Sequence, residues 1–191
     1  LSILRSSDEN CQRCVYELGA SKKNDISYLV NICEPKMTAL LNVSEAHMES
    51  FGSFETLINT KEEIFSHTNT DQVVLNKDDE YFARWKKMNK NKKITTISIF
   101  SDADYFIEKT DDEFFYISTP KGKFELIKKN SSEILAINLL FSIALAMEAG
   151  ADIQSVKDGI YSFSGVQGRF FSFVSSNKYI VIDDSSHANP E

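Results

Sequence analysis

Lys61 is the side chain with the clearest chemical potential in this sequence, and two further polar residues precede it. It lies on a helical stripe of apolar residues, seven positions after Phe54 and four after Leu57. Lysine is seldom buried without a partner, although its long stem can also extend from an apolar face into water. Because His47 and the strand-end carboxylate Glu17 come before this helix, we interpret Lys61 as a functional residue.

Polar side chains follow several predicted strands at the point where each strand ends. Glu17 ends the first predicted strand, His47 lies just after the second, and Asp183 and Asp184 end the last. Ligands of an open parallel sheet collect beyond the carboxyl ends of its strands, so we predict one common cleft. Plain structural interpretations stay open: a solvated carboxylate for Glu17, a helix cap for His47 and a turn for the aspartates.

Strands and helices alternate in the first half of the chain, which predicts an α/β fold with a mainly parallel sheet flanked by helices. Ser53 is placed to cap the helix that carries Lys61, Asn24 or Asp25 to cap an earlier helix, and Pro35 to stop it. The predicted strands span 14–18, 37–43, 72–76 and 94–100, and the predicted helices span 25–33, 54–65 and 79–88.

The pattern changes to period two between residues 104 and 129, with turn residues at 111–112 and 120–122. This predicts a small antiparallel β meander, expected as a sheet beside the main one. Two helices follow, at 133–148 behind Ser132 and from Asp152 to about residue 163. Strands at 170–174 and 179–183 come after a predicted boundary near Gly168, which gives domains 1–167 and 168–191.

Composition excludes some classes of function. The net charge of −7 over 191 residues argues against general nucleic-acid binding. No apolar run reaches the length of a membrane span, and no signal peptide is visible. Three cysteines do not suggest a disulfide framework, which favours the cytoplasm. We interpret the basic stretch 84–93 as a solvated helix face and turn rather than a site for a polyanion.

Four segments, in this order, resemble the central domain of the Mur ligases, and most closely the branch that adds D-alanyl-D-alanine to UDP-N-acetylmuramoyl-tripeptide. They are YELGAS at 16–21, NVSEAHMESFGS at 42–53, TKEEIF at 60–65 and DDSSHANP at 183–190. The resemblance implies an ATP-dependent amide ligase of peptidoglycan precursor synthesis that is cytoplasmic and monomeric. It also implies a fragment of a longer ligase, with the phosphate loop upstream and a Rossmann-like C-terminal domain beginning at 168.

The resemblance further implies a metal site. Glu17 and His47 would bind Mg²⁺, and Lys61 would be the lysine that the family carbamylates with carbon dioxide. Histidine is an unusual ligand for Mg²⁺, so Mn²⁺ could substitute. A lysine in a partly apolar site loses its proton more easily, and carbamylation then gives an anion that can hold a metal.

ATP contacts are implied in the same way for Asn138 at the adenine, Arg169 at a hinge and Asp184 on the ribose or phosphate side. Two departures from the family pattern concern the nucleotide and the substrate subtype: Ile134-Leu135 replaces a His-Asn pair, and Ser186-His187 replaces Tyr-Asn. A plain helix-surface role for Asn138 stays open. So do two other functions, namely another amino-acid ligase of the superfamily and a non-catalytic binding module with this fold.

Overall fold

The computed structural model describes residues 12–43, 51–128, 132–168, 171–174, 178–183 and 185. The chain divides into two compact units, Leu1–Ala151 and Asp152–Glu191, whereas the domain boundary at residue 168 stays a prediction. Within the described ranges, no helix has the length and apolar character that a membrane span requires.

A six-stranded sheet lies at the centre of the first unit. Its strands are β1 (Met37–Leu40), β2 (Gln72–Asn76), β3 (Lys93–Ser98), β4 (Tyr105–Thr110), β5 (Phe114–Thr119) and β6 (Gly122–Ile127). They stand side by side in chain order; β1 to β4 pair in parallel, and β5 and β6 are added antiparallel. The predicted α/β fold with a mainly parallel sheet and an antiparallel meander is therefore confirmed.

The meander is part of this sheet, so its expected placement in a separate sheet is wrong. β4 pairs in parallel with β3 through Ile97 opposite Tyr105 and Ser98 opposite Phe106. Sequence periodicity locates strands but does not choose their neighbours, since pairing depends on contacts between distant segments. The link between the parallel and antiparallel halves is short, because only these two residue pairs form it.

Helices cover both faces of the sheet. They are α1 (Asp25–Cys33), α2 (Phe54–Glu62) with a 3₁₀ turn at Glu63–Phe65, α3 (Phe82–Met88) and α4 (Glu133–Glu148). Gln72 faces α4, because its amide donates to Glu148. Side chains alternate along a strand, so Val73 and Leu75 face the other side. There they form a buried cluster with Leu40, Phe65 and Trp85.

Helix α4 runs antiparallel to the strands on which it packs. Glu148, its last residue, bonds to Gln72 and Lys93, which are the first residues of β2 and β3. The N-terminal turns of α4 are therefore directed towards the carboxyl ends of these strands, where ligands of parallel sheets collect.

The strand predicted at 14–18 is wrong. Residues 12–20 have no regular secondary structure, and Val15 is 88% exposed. A short apolar run is a weak strand signal because it contains too few residues to define a period. Arg13 attaches this segment to the end of α4, since its Nε donates to the Ala149 carbonyl at 3.2 Å. Cys33 is a free thiol.

Some predicted boundaries are also corrected. β1 ends at Leu40, three residues before the prediction, and β3 ends at Ser98, two before it. α3 begins at Phe82 rather than near residue 79, because side-chain turns hold the preceding loop. Asn76 Oδ1 accepts from Asp78 N, and Asp79 Oδ1 accepts from Tyr81 N.

The second unit contains α5 (Ile153–Ser162) and a hairpin of β7 (Phe171–Val174) and β8 (Ile180–Asp183). Asp152 caps α5 as predicted, since its Oδ1 accepts from Ser155 N at 2.7 Å. The helix and both strands are confirmed, with ends within one residue of the prediction.

Candidate functional site

The structure describes half of the predicted site residues. Those described are Glu17, Lys61 and Asn138. Those outside the described residues are His47, Arg169 and Asp184. The meeting of Glu17, His47 and Lys61 around one ion therefore stays a prediction. In the part of the chain that the structure describes, no group of three histidine, cysteine, aspartate or glutamate side chains could hold a metal.

Lys61 lies in the last turn of α2 and is half-buried. The helix begins as predicted, with Ser53 Oγ accepting from Thr56 N at 3.1 Å. Leu57 and Ile58, one turn before Lys61, are buried in the core. The lysine stem therefore follows an apolar surface, and its amine makes no hydrogen bond or ion pair with another described residue.

Glu62, the next residue, is a buried carboxylate that is only 6% exposed. Its Oε1 accepts from Trp85 Nε1 at 2.9 Å and forms an ion pair with Arg84 Nε at 2.7 Å. Its Oε2 accepts from Arg84 Nη2 at 2.7 Å. Hydrogen bonds from Arg84 to Glu55 and Glu62 raise the pKa of the guanidinium. Both carboxylate oxygens are thus occupied by donors of α3.

This network was missed by the sequence interpretation. The sequence predicts a solvated helix face for the basic stretch 84–93, but Arg84 is only about one third exposed and binds two acidic residues of α2. The available signal was the single tryptophan beside an arginine, because a buried indole N–H needs an acceptor. The sequence does not show which acceptor lies within reach.

Glu63 connects Lys61 to α1. Its Oε1 accepts from Asn24 N at 2.8 Å, and its Oε2 accepts from Ser27 N at 3.0 Å. Glu63 thus binds N–H groups at the start of α1 that lack a partner within the helix. The expected cap by Asn24 or Asp25 is wrong: Asn24 has a φ of 72° and makes no side-chain cap bond. The Asp25 carboxylate instead binds the preceding turn.

Glu17 is exposed, in the irregular segment before α1. Asp25 Oδ2 accepts from Ser21 N at 2.9 Å and from Lys22 N at 3.0 Å. These bonds, which lower the pKa of Asp25, attach the Glu17 segment to α1. Since Glu63 attaches α1 to the end of α2, a continuous series of hydrogen bonds and short chain segments joins Glu17 to Lys61.

Asn138 lies in the second turn of α4, at the end directed towards the carboxyl ends of β2 and β3. Ile134 and Leu135 at the same end are 64% and 40% exposed. Near these carboxyl ends, the loop after β2 is held by Asp78, which accepts from Ser98 Oγ at 2.6 Å and Ile99 N at 2.7 Å. The position of Asn138 is compatible with a ligand above the sheet.

Glu148 is a second, largely buried carboxylate, at the other end of α4. Its Oε1 accepts from Tyr105 Oη at 2.9 Å, and its Oε2 accepts from Gln72 Nε2 at 2.7 Å and from Lys93. Burial alone would raise the pKa of Glu148, but the three donors outweigh burial and the pKa is lowered. Burial and the adjacent carboxylate raise the pKa of Tyr105.

Comparisons with known proteins agree with this fold. A family model described as the Mur ligase middle domain matches residues 1–146. The UDP-N-acetylmuramoyl-tripeptide–D-alanyl-D-alanine ligase of Haemophilus influenzae is 29% identical over 196 residues, covering 100% of this chain and 42% of that protein. The UDP-N-acetylmuramoylalanine–D-glutamate ligase of Clostridioides difficile is 30% identical over 175 residues, covering 82% of this chain and 35% of that protein.

Solved structures give the same result for the fold. A crystal structure of MurF from Acinetobacter baumannii has a TM-score of 0.89 at 24% sequence identity, and the match covers 99% of this chain and 42% of that chain. This chain therefore spans about two fifths of the length of the relatives that it matches along its whole length.

Proposed function

This chain belongs to the Mur ligase family through its middle domain, and on that premise we propose that it is the ATP-binding part of a ligase that joins D-alanyl-D-alanine to UDP-N-acetylmuramoyl-tripeptide. One observation carries the proposal: the likeness to the D-alanyl-D-alanine ligase of Haemophilus influenzae extends over all of this chain. We further propose that residues 1–167 form the central domain, that 168–191 begin the C-terminal domain, and that the protein is a cytoplasmic monomer.

The proposed reaction is ATP-driven amide formation. The tripeptide carboxylate attacks the γ-phosphate to give an acyl phosphate, and the amine of D-alanyl-D-alanine then displaces phosphate. In phosphoryl transfer the protein acts mainly by aligning the reactants and by stabilising charge. Asn138, Arg169 and Asp184 would hold the nucleotide, and the position of Asn138 at the carboxyl edge supports its part in this set.

Glu17, His47 and Lys61 would hold Mg²⁺, or Mn²⁺ in its place, which supplies positive charge beside the phosphates when bound. The described members fit such a site. Glu17 offers an exposed carboxylate, and Lys61 a half-buried amine without a partner among the described residues. Carbamylation of that amine would add the oxygen atoms that Mg²⁺ prefers.

The test is phosphate release by the full-length protein with ATP, the UDP-linked tripeptide and D-alanyl-D-alanine. We expect Lys61→Ala and Glu17→Ala each to lower kcat/KM by more than about 100-fold, because losing a ligand should exceed the 10- to 100-fold typical of outer-shell partners. Lys87→Ala, which removes an exposed lysine from α3, is the matched control. Unchanged rates for both site variants would exclude the assigned metal site.

A second candidate is a ligase that adds another amino acid, because the D-glutamate ligase of Clostridioides difficile is 30% identical over 82% of this chain. A panel of acceptors separates the two functions: phosphate release that requires D-glutamate and UDP-N-acetylmuramoylalanine would favour the second. ATP binding without phosphate release for any acceptor in the panel would instead favour a non-catalytic module.

A further inference from the structure

We propose that Glu62 and Glu63 are positioning residues for Lys61, which hold the end of α2 from two sides and so set the direction of the amine. This role rests on the proposed function, because that function gives Lys61 its part in the reaction. Two carboxylates directly after a lysine would ordinarily be read as a solvated charge run. Here Glu62 is buried, and Glu63 is half-buried.

Glu62 fixes the rotation of α2. It is the last residue of the helix, where helices tend to fray. Two hydrogen bonds, from Arg84 and Trp85, and an ion pair with Arg84 hold it against α3. Consecutive helical residues project about 100° apart, so a fixed Glu62 also fixes the direction in which Lys61 leaves the helix.

Glu63 fixes the same end of α2 against a different element. Its two oxygens bind Asn24 N and Ser27 N at 2.8 and 3.0 Å. The turn just before α1 is in turn held by Asp25 and is continuous with the segment of Glu17. Glu63 thereby couples the positions of two predicted metal ligands.

The hydrogen bonds also explain why neither carboxylate neutralises the lysine. All four oxygens of the two side chains accept from donors elsewhere: Trp85 and Arg84 for Glu62, and the α1 backbone for Glu63. In the described part of the chain, the Lys61 amine has no carboxylate partner. The network therefore positions the amine and leaves it available for reaction.

The buried charges are not explained by stability alone. Replacing a buried ion pair by well-packed apolar residues is often neutral or stabilising. We therefore expect Glu62, between Trp85 and Arg84, to serve mainly to orient the end of α2 rather than to stabilise the fold. If Glu62 orients the helix end, its replacement should change the reactivity of the Lys61 amine. A loss of stability elsewhere in the protein should leave that reactivity unchanged.

The test uses Glu62→Gln and Glu63→Gln in the full-length protein, with Glu148→Gln as control because it alters a buried carboxylate outside this network. Two properties of Lys61 are measured: its carbamate signal in ¹³C NMR after incubation with ¹³C-bicarbonate, and its extent of acetylation by a limiting reagent, read by mass spectrometry. Neither requires turnover, and the second does not require carbamylation.

We expect both site variants to change Lys61 acetylation, to lower carbamate occupancy and to lower kcat by about 10- to 100-fold, with KM little changed. Glu148→Gln should lose stability and leave Lys61 unaltered. If the site variants lose only stability, as the control does, the positioning role is excluded. Glu63→Gln, which alters a half-buried rather than a buried carboxylate, keeps the test decisive if Glu62→Gln fails to fold.

Lys61→Ala separates this role from the proposed function. If that variant retains full ligase activity, the function assigned to Lys61 fails. If it is inactive while both glutamine variants resemble the wild type in acetylation, carbamate signal and kcat, the positioning role alone fails.

Discussion

Glu62 and Glu148 are largely buried carboxylates on opposite faces of the same sheet, and the donors that they bind differ in origin. All donors to Glu62 come from one helix, α3. Donors to Glu148 come from three strands, through Gln72 of β2, Lys93 of β3 and Tyr105 of β4. A carboxylate bound to one neighbour orients its helix, whereas one bound to several strands joins them, so similar chemistry serves different purposes.

Trp85→Ala should have the largest effect on stability, because it removes one of the two residues of α3 that hold Glu62. The indole is fully buried in the core cluster and donates to Glu62. Its removal should cost about 3–5 kcal/mol of unfolding free energy, since it leaves a cavity and removes a donor. Urea unfolding measures the loss. Met88→Ala, at an exposed position of the same helix, should change stability by less than about 0.5 kcal/mol.

Acid titration should measure how much the ionised Glu148 carboxylate contributes to stability. The pKa of Glu148 is lowered below its ordinary 4.5 in the folded protein, so its ionised form stabilises the fold above that value. The contribution is lost as the pH falls through the lowered pKa. Wild type should therefore lose more stability than Glu148→Gln between about pH 5 and pH 3, a difference of roughly 1–2 kcal/mol. Parallel curves for the two proteins would contradict this assignment.

Lys123→Ala should change the free energy of unfolding least, and it is the reference for the effects at Glu62 and Glu148. Lys123 pairs with Glu108 across the meander at 2.6 Å, but the two side chains are 64% and 44% exposed. Such surface pairs contribute about 0–1 kcal/mol. If Lys123→Ala lost as much stability as Trp85→Ala, burial would not explain why Glu62 and Glu148 should contribute more to stability than the exposed Glu108.

Local features of the fold could be predicted from the sequence. The Ser53 cap, strand β2 and helix α4 depend on residues close in the chain, and each lies where the pattern placed it. The strand at 14–18 was wrong because its run is too short to define a period. The pairing of β3 with β4 depends on segments that periodicity does not relate, so the joined sheet could not be foreseen.

In the candidate site, too, local features could be predicted from the sequence and contacts between distant segments could not. The helical position of Lys61 could be predicted because an apolar stripe and a helix cap are local signals, whereas its part in a metal site stays a prediction. The partners of Glu62 and Glu63 are more than twenty residues away in the chain. The sequence alone does not distinguish these two glutamates from a pair of exposed glutamates. Residue spacing therefore places Lys61 on the apolar stripe of α2, but it does not show the hydrogen bonds around that helix end.

Only two residue pairs join β3 to β4, so the antiparallel strands β4 to β6 and the parallel strands β1 to β3 can form at different stages of folding. Strands β4 to β6 are joined by tight turns, one of them held by Asp111, which accepts from Glu113 N and Phe114 N. β1 meets β2 only after the long segment between Leu40 and Gln72 has been brought together. Closing short loops costs less entropy and is faster. We therefore expect the antiparallel strands β4 to β6 to assemble early. The parallel strands, together with α2 between β1 and β2, should assemble late.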